Sequence, residues 1–276
     1  MLEKVEVLTE QGVLLTLSLQ DISQGYSVQN ITGLDPVKAT IVSSTFGQMD
    51  GEQYQSARRE KRNIILTLGY EPDFATGTMQ DLRKKLYTFF MPKSRVLLRF
   101  FHTGEPVVQI YGRVESFDSE KFSREPTATL SIICFDPDFY DPSPVILPGN
   151  TTPSTIETTH SYPGSVETGI LFRLMVNRPS LTEFTINHRP PDDTLRSLDF
   201  ATATPLLIGD VLTISTIPGN KFVTLTRGGV DTSFLFGVSP QSNWISLFPG
   251  DNKLRVYAEG AGIPYQIEYT TKYGGL

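Results

Sequence analysis

Few side chains in this sequence have the type and spacing that chemistry needs, and each set has a competing structural use. Asp136 with Asp138 and Asp192 with Asp193 are paired carboxylates, the residue type that glycoside cleavage uses as proton donor and as nucleophile or base across a cleft. Both pairs sit in proline-containing turns, Phe135-Asp-Pro-Asp-Phe139 and Arg189-Pro-Pro-Asp-Asp193, where aspartate is expected because its side chain bonds nearby backbone. His102, His160 and His188 lie far apart with no partner at metal-ligand spacing, so no metal site is expected. Cys134 is the single cysteine, which excludes an intrachain disulfide and a cysteine-based zinc cluster and fits a buried strand position. The sequence has no Gly-x-Ser-x-Gly elbow, no glycine-rich strand-to-helix loop and no Cys/His pairing. Neither an enzyme nor a bound cofactor is expected.

Two further sets could bind rather than react. Trp244, Phe248 and Tyr257 are aromatic residues of the kind that stack on a sugar ring, and alternation along Asn243–Gly250 puts Trp244, Ser246 and Phe248 on one face. Core packing is the competing use. Arg58, Arg59, Lys61 and Arg62 form the densest basic run. Like charges so close repel and add little stability alone, so the run either faces solvent or meets an acidic surface on a neighbouring subunit. The net charge of −6 and pI near 5.2 give no broad positive field for phosphate backbones, so sequence-specific or general nucleic-acid binding is not expected.

The elements that must hold these residues are nearly all strands. A length of 276 residues predicts two domains on a prior of roughly 150 residues each. Runs rich in Val, Ile, Thr, Phe and Tyr alternate with Gly, Pro, Asn and Asp, the pattern of an all-β chain. One helix is predicted at about 78–91, where Met79, Leu82, Leu86 and Phe89–Phe90 recur at helical spacing, Thr78 and Asp81 can form a capping box, and Pro92 stops it. Asp50-Gly51 predicts a tight turn in a long polar arm between Thr45 and Arg62, with too little apolar surface to fold onto its own domain. A proline-rich linker is predicted at 141–152, between a domain at 1–140 and a second at 153–276 with no helix and eight to nine strands, a β-sandwich or jelly roll. In that second domain Ile217-Pro-Gly-Asn220 and Pro249-Gly-Asp-Asn252 are each expected to close a hairpin. No start resembling a secretory signal and no apolar run long enough to span a bilayer is present, so the chain is expected to be made and kept in cytosol unless carried out as part of a particle.

Taken in order, Ile31-Thr-Gly-Leu-Asp-Pro-Val37, Asp50-Gly51, Arg62-Asn-Ile-Ile-Leu66, Leu82-Arg-Lys-Lys-Leu86, Phe90-Met-Pro92, Tyr111-Gly-Arg-Val-Glu115 and Phe135-Asp-Pro137 resemble the distal tail protein family of long-tailed bacteriophages. Ile208-Gly-Asp210, Leu247-Phe-Pro-Gly-Asp-Asn252, Ile267-Glu-Tyr269 and Tyr273-Gly-Gly-Leu276 extend the resemblance over nearly the whole chain. It implies an N-terminal β domain with one helix that assembles into a six-fold ring, and a galectin-like C-terminal β-sandwich outside it. It also implies a virion location at the tail tip and partners in the tail tube protein, the tail hub protein and receptor-binding or side-fibre proteins. The tape measure protein and then DNA would pass through the lumen, which gives the basic run at 58–62 a third destination. The family has no catalytic residues to carry over. The alternative from a different class is a carbohydrate-binding β-sandwich module that uses Trp244 and Phe248.

Overall fold

A computed structural model describes residues 1–276 except 48, 49, 76, 121, 122 and 261. The chain divides into two compact units, Met1–Pro142 with Tyr273–Leu276, and Ser143–Lys272. The fold is all-β with one α-helix.

In the first unit the strands are β1 (Leu2–Thr9), β2 (Leu14–Ser18), β3 (Tyr26–Thr32), β4 (Ala39–Ser44), β5 (Gln53–Arg59), β6 (Arg62–Tyr70), β7 (Arg95–His102), β8 (Val108–Ser119), β9 (Thr127–Cys134) and β10 (Phe139–Tyr140), with helix α1 (Met79–Phe90) after β6. The main sheet runs β2-β1-β7-β8-β9-β6-β3. Alternation turns Val5, Val7, Ile64, Leu66, Leu98, Phe100, Ile110, Leu130 and Ile132 inward. Helix α1 adds Leu86, Phe89 and Phe90 to that core. Its predicted start is present in full: the Thr78 hydroxyl accepts from Asp81 N, and the Asp81 carboxylate accepts from Thr78 N at 3.0 Å. β4 and β5 belong to none of this, and pair only with each other as a separate two-stranded ribbon.

The second unit has β11 (Val145–Asn150), β12 (Thr158–Tyr162), β13 (Thr168–Gly169), β14 (Leu171–Met175), β15 (Leu181–Arg189), β16 (Arg196–Leu206), β17 (Val211–Ser215), β18 (Phe222–Arg227), β19 (Val230–Ser233), β20 (Ser246–Leu247), β21 (Gly250–Tyr257) and β22 (Pro264–Tyr269). A six-stranded sheet, β11-β22-β14-β17-β18-β19, and a four-stranded sheet, β12-β21-β15-β16, share one core. Phe172, Leu212, Ile214 and Ile267 enter it from the first sheet, and Phe184, Phe200, Leu254 and Val256 from the second. This is the expected β-sandwich.

Three expectations need correction. Residues 145–150 of the supposed linker form β11, an edge strand paired with β22 from Val145↔Tyr269 to Asn150↔Pro264. An edge tolerates Pro148 because only one side of the strand needs its ladder. The second unit does not run to the C-terminus, since residues 273–276 rejoin the first, where Leu276 N donates to Leu34 O at 3.0 Å. Pro249–Asn252 does not close a hairpin, because β20 pairs with β13 while β21 pairs with β12 and β15. Asn252 holds the bend instead, accepting from Phe248 N at 3.0 Å and donating to Phe248 O at 2.7 Å. After β19 ends at Ser233, Leu235–Gly237 is a 3-10 turn that lets Phe234 stack on Phe200.

Candidate interaction surface

The four basic residues at 58–62 do not form one patch, and this corrects their reading as a set. Arg58 and Lys61 are exposed. Arg59 forms a two-point ion pair with the buried Asp138, whose second contact is 3.0 Å. Arg62 is 1% exposed. Alternation along β6 explains it: Arg62, Ile64, Leu66 and Leu68 are the residues that face inward.

Buried Arg62 is held by four backbone oxygens from three separate segments of the chain. Its Nε donates to Pro137 O at 2.7 Å, Nη1 to Gly33 O at 2.5 Å and Asp35 O at 2.7 Å, and Nη2 to Gly274 O at 2.6 Å. The guanidinium lies 4.4 Å from the centre of the Phe139 ring, a cation–π contact strengthened by burial. Desolvation lowers its pKa, opposed by the nearby Cys134, Asp138 and Asp35. Only arginine offers five donors in a planar fork. Gly33 is fitted to the same knot, because its φ is +84° and a Cβ there would lie 2.0 Å from Asn63 O. Arg62 is therefore neither a subunit contact nor a lumen residue but a clamp inside the first unit.

The arm that sequence reading placed at 45–62 begins earlier, at Ala39, because β4 is its first strand; residues 48 and 49 lie outside the described residues. Every residue of β5 is exposed. Gly51 takes φ +90° in the turn as expected of Asp-Gly. What sequence reading missed is the arm's apolar content: Ile41 and Tyr54 are each 65% exposed and Phe46 51%. The register Ile41↔Ala57 and Ser43↔Tyr54 puts Ile41, Ala57 and Tyr54 on one face of the ribbon. An isolated two-stranded ribbon is marginal in water, and exposed large apolar side chains clustered on one mark an interaction surface.

The remaining candidates are occupied within the chain. Lys221 Nζ sits 5.3 Å from the centre of the Trp244 ring, which also packs against the second core. The Phe248 ring carries the Arg196 guanidinium at 4.6 Å and stacks on His188, and Tyr257 carries Arg255 at 5.7 Å. A pyranose would have to displace these cations. His188 is buried with Nε2 3.0 Å from Asn252 Oδ1, and burial lowers its pKa. His160 Nε2 lies 2.8 Å from the Tyr269 hydroxyl. Burial pushes the Cys134 thiol up to about 12, so it is no nucleophile at neutral pH. Asp136 accepts from Asp138 N at 3.1 Å, Asp192 from Thr194 N at 3.0 Å, and Asp193 pairs with Lys253.

Among the described residues no group of three or more His, Cys, Asp or Glu side chains is placed to hold a metal ion. Chelation by EDTA is accordingly expected to leave the melting temperature unchanged, since only a ligand bound to the native state adds stability that its removal can take away. A reproducible fall would reveal an oxygen-ligand site, with Asp192, Asp193 and Asp231 the first to substitute.

No protein-family model matches the chain, and no curated protein matches it in sequence. Among solved structures, the phage P2 baseplate in its activated conformation with Ca aligns at a TM-score of 0.45 and 10% identity, over 97% of this chain and 98% of that one. The Dit protein of phage SPP1, described as a paradigm of the hub adsorption apparatus in phages infecting Gram-positive hosts, aligns at a TM-score of 0.66 and 20% identity. That alignment covers 97% of this chain and 98% of the SPP1 chain, so the two share a fold over both units.

Proposed function

We propose that this chain is a structural protein of a bacteriophage tail tip, a hexameric ring that joins the tail tube to the hub and serves as a docking platform for receptor-binding or fibre proteins. The observation that carries the reading is the β4–β5 ribbon, which leaves its own chain with every β5 residue exposed and apolar side chains on one face. Such a ribbon needs a second surface, and head-to-tail joints between identical subunits close into a ring of fixed number where the rotation from one to the next closes. The fold shared with the SPP1 Dit protein supports placing that ring in a tail-tip hub. Tape measure and DNA would pass through its lumen, and the β-sandwich would carry contacts to outer proteins.

Light scattering on a size-exclusion peak tests the ring directly. A mass of six chains, or twelve for stacked rings, is expected together with a central hole in negative-stain images. A chain that stays monomeric at micromolar concentration, with tail partners present, would sink the reading. Salt and charge reversal test the basic base of the arm separately. Arg58→Glu with Lys61→Glu is the suitable pair, because reversing Arg59 would also break its ion pair with Asp138. If these two residues meet an acidic neighbour, the variant's ring will loosen, and the wild-type ring will loosen as salt screens the contact.

A further inference from the structure

The arm and the main sheet of the first unit carry complementary surfaces. On the outer face of the sheet, registers Leu14↔Leu8, Leu8↔Leu97 and Leu97↔Tyr111 line up an apolar row across β2, β1, β7 and β8. Leu14 is 51% and Tyr111 47% exposed, Leu8 is half-buried and Leu97 between them only 7% exposed, and the row borders a groove of about 330 Å³ between β1, β7 and β8. Beside it stand Arg95, Arg99 and Arg113, with Arg95 cross-strand to Arg113. None of the three is in an ion pair among the described residues. Glu6, opposite Arg99 in register, is taken by Lys4 at 2.7 Å, and Arg95 lies over the Tyr111 ring at 4.4 Å. Glu10 also lines the groove.

The arm's tip has the opposite character. Asp50 and Glu52 flank the turn, and neither has a basic partner among the described residues. Ser43 donates to Glu52. Phe46 and Tyr54 are exposed beside them. Strands of six and seven residues reach about 20 Å at ~3.3 Å per residue, far enough to cross onto an adjacent copy.

We propose that the acidic, aromatic tip of the arm seats on the outer face of β1, β7 and β8 of a second copy of this chain, with Phe46 and Tyr54 on the Leu8–Leu97–Tyr111 row and Asp50 and Glu52 against Arg95, Arg99 and Arg113. This rests on the ring reading and deepens it by naming the socket. It also moves the main electrostatic contact away from the basic run at 58–62 to carboxylates at the other end of the arm. Desolvated carboxylate–guanidinium contacts fix register, and the apolar row supplies the attraction.

Two variants that each add one cysteine, Glu52→Cys and Arg95→Cys, separate the outcomes, since native Cys134 is buried. Mixed in high salt, returned to low salt and oxidised, they are expected to give an interchain disulfide on a non-reducing gel that neither gives alone. As a second measure, Asp50→Arg with Glu52→Arg, and Arg95→Glu with Arg99→Glu, are each expected to shift the scattering mass below the ring. All four changes in one chain are expected to restore it, with circular dichroism unchanged throughout. If wild type forms rings but the mixture gives no cross-link and neither reversal moves the mass, the arm seats elsewhere and the ring reading stands. If wild type never leaves the monomer, both fall together.

Discussion

Replacing Arg62 with methionine will unfold the first unit at a temperature lower by about 10 °C or more while leaving the second unit's transition in place. Methionine fills part of the space but leaves Pro137 O, Gly33 O, Asp35 O and Gly274 O without their donor. Unpairing a buried polar network costs about 3–5 kcal/mol, and about 3 °C per kcal/mol applies to a unit of this size. Arg62→Lys will recover only a small part, since an ammonium cannot reach four divergent carbonyls as a fork does. Calorimetry resolves the two transitions. A melt of the methionine variant within ~2 °C of wild type would mean that water replaces the guanidinium and that the clamp contributes little.

That clamp explains why ordered but individually weak pieces of sequence carried so much meaning. Gly33 and Asp35 lie in Ile31–Val37, Arg62 opens Arg62–Leu66, Pro137 closes Phe135–Pro137 and Gly274 lies in Tyr273–Leu276. Sequence reading treated them as separate landmarks, and the fold brings them to one guanidinium. Nothing in the spacing of Arg58-Arg-Glu-Lys-Arg62 distinguishes a buried arginine from an exposed one. The only signal is parity: Arg62 shares its phase with Ile64, Leu66 and Leu68.

The legible parts of the fold are those where local chemistry and tertiary position agree. The capping box at Thr78 and Asp81, the turn at Ile217–Asn220 with Asn220 N bonded to Ile217 O at 2.9 Å, and the strand Val211–Ser215 all follow from local signals. β11 was not legible because Pro148 and Gly149 are breakers by composition. They are tolerated at a sheet edge, where a Cβ on Gly149 would come within 2.3 Å of the outer end of the Tyr265 ring and oblige that ring to move. The Pro249–Asn252 bend was read correctly as a bend and wrongly as a hairpin, since a turn motif fixes a local angle but not the sheet that receives each strand. The candidate site divided in the same way. The arm's exposure followed from its polarity, whereas the apolar face of Ile41, Ala57 and Tyr54 depends on a register shift between Val42 and Ser43 that alternation does not predict.

Excising residues 42–56 and joining Ile41 to Ala57 through Asn-Gly is expected to abolish the proposed ring and leave a folded single chain. The cut keeps Arg59 on Asp138 and Thr40 on Glu60, whose hydrogen bond is 2.6 Å, so the arm's base stays closed. A two-residue Asn-Gly loop suits the paired strands because both its positions accept positive φ. The excised part of β5 is exposed throughout, so each unit should melt within a few degrees of wild type, as surface changes cost about 0.5 kcal/mol or less. Assembly loses what the arm contributes at every joint. A loss of about 3 kcal/mol per joint raises the concentration needed for half-assembly at least ~100-fold, which a dilution series by light scattering will detect. Rings of the shortened chain at wild-type concentrations would show that the subunits join through another surface, and the exposed apolar face of the arm would then serve a partner other than a second copy.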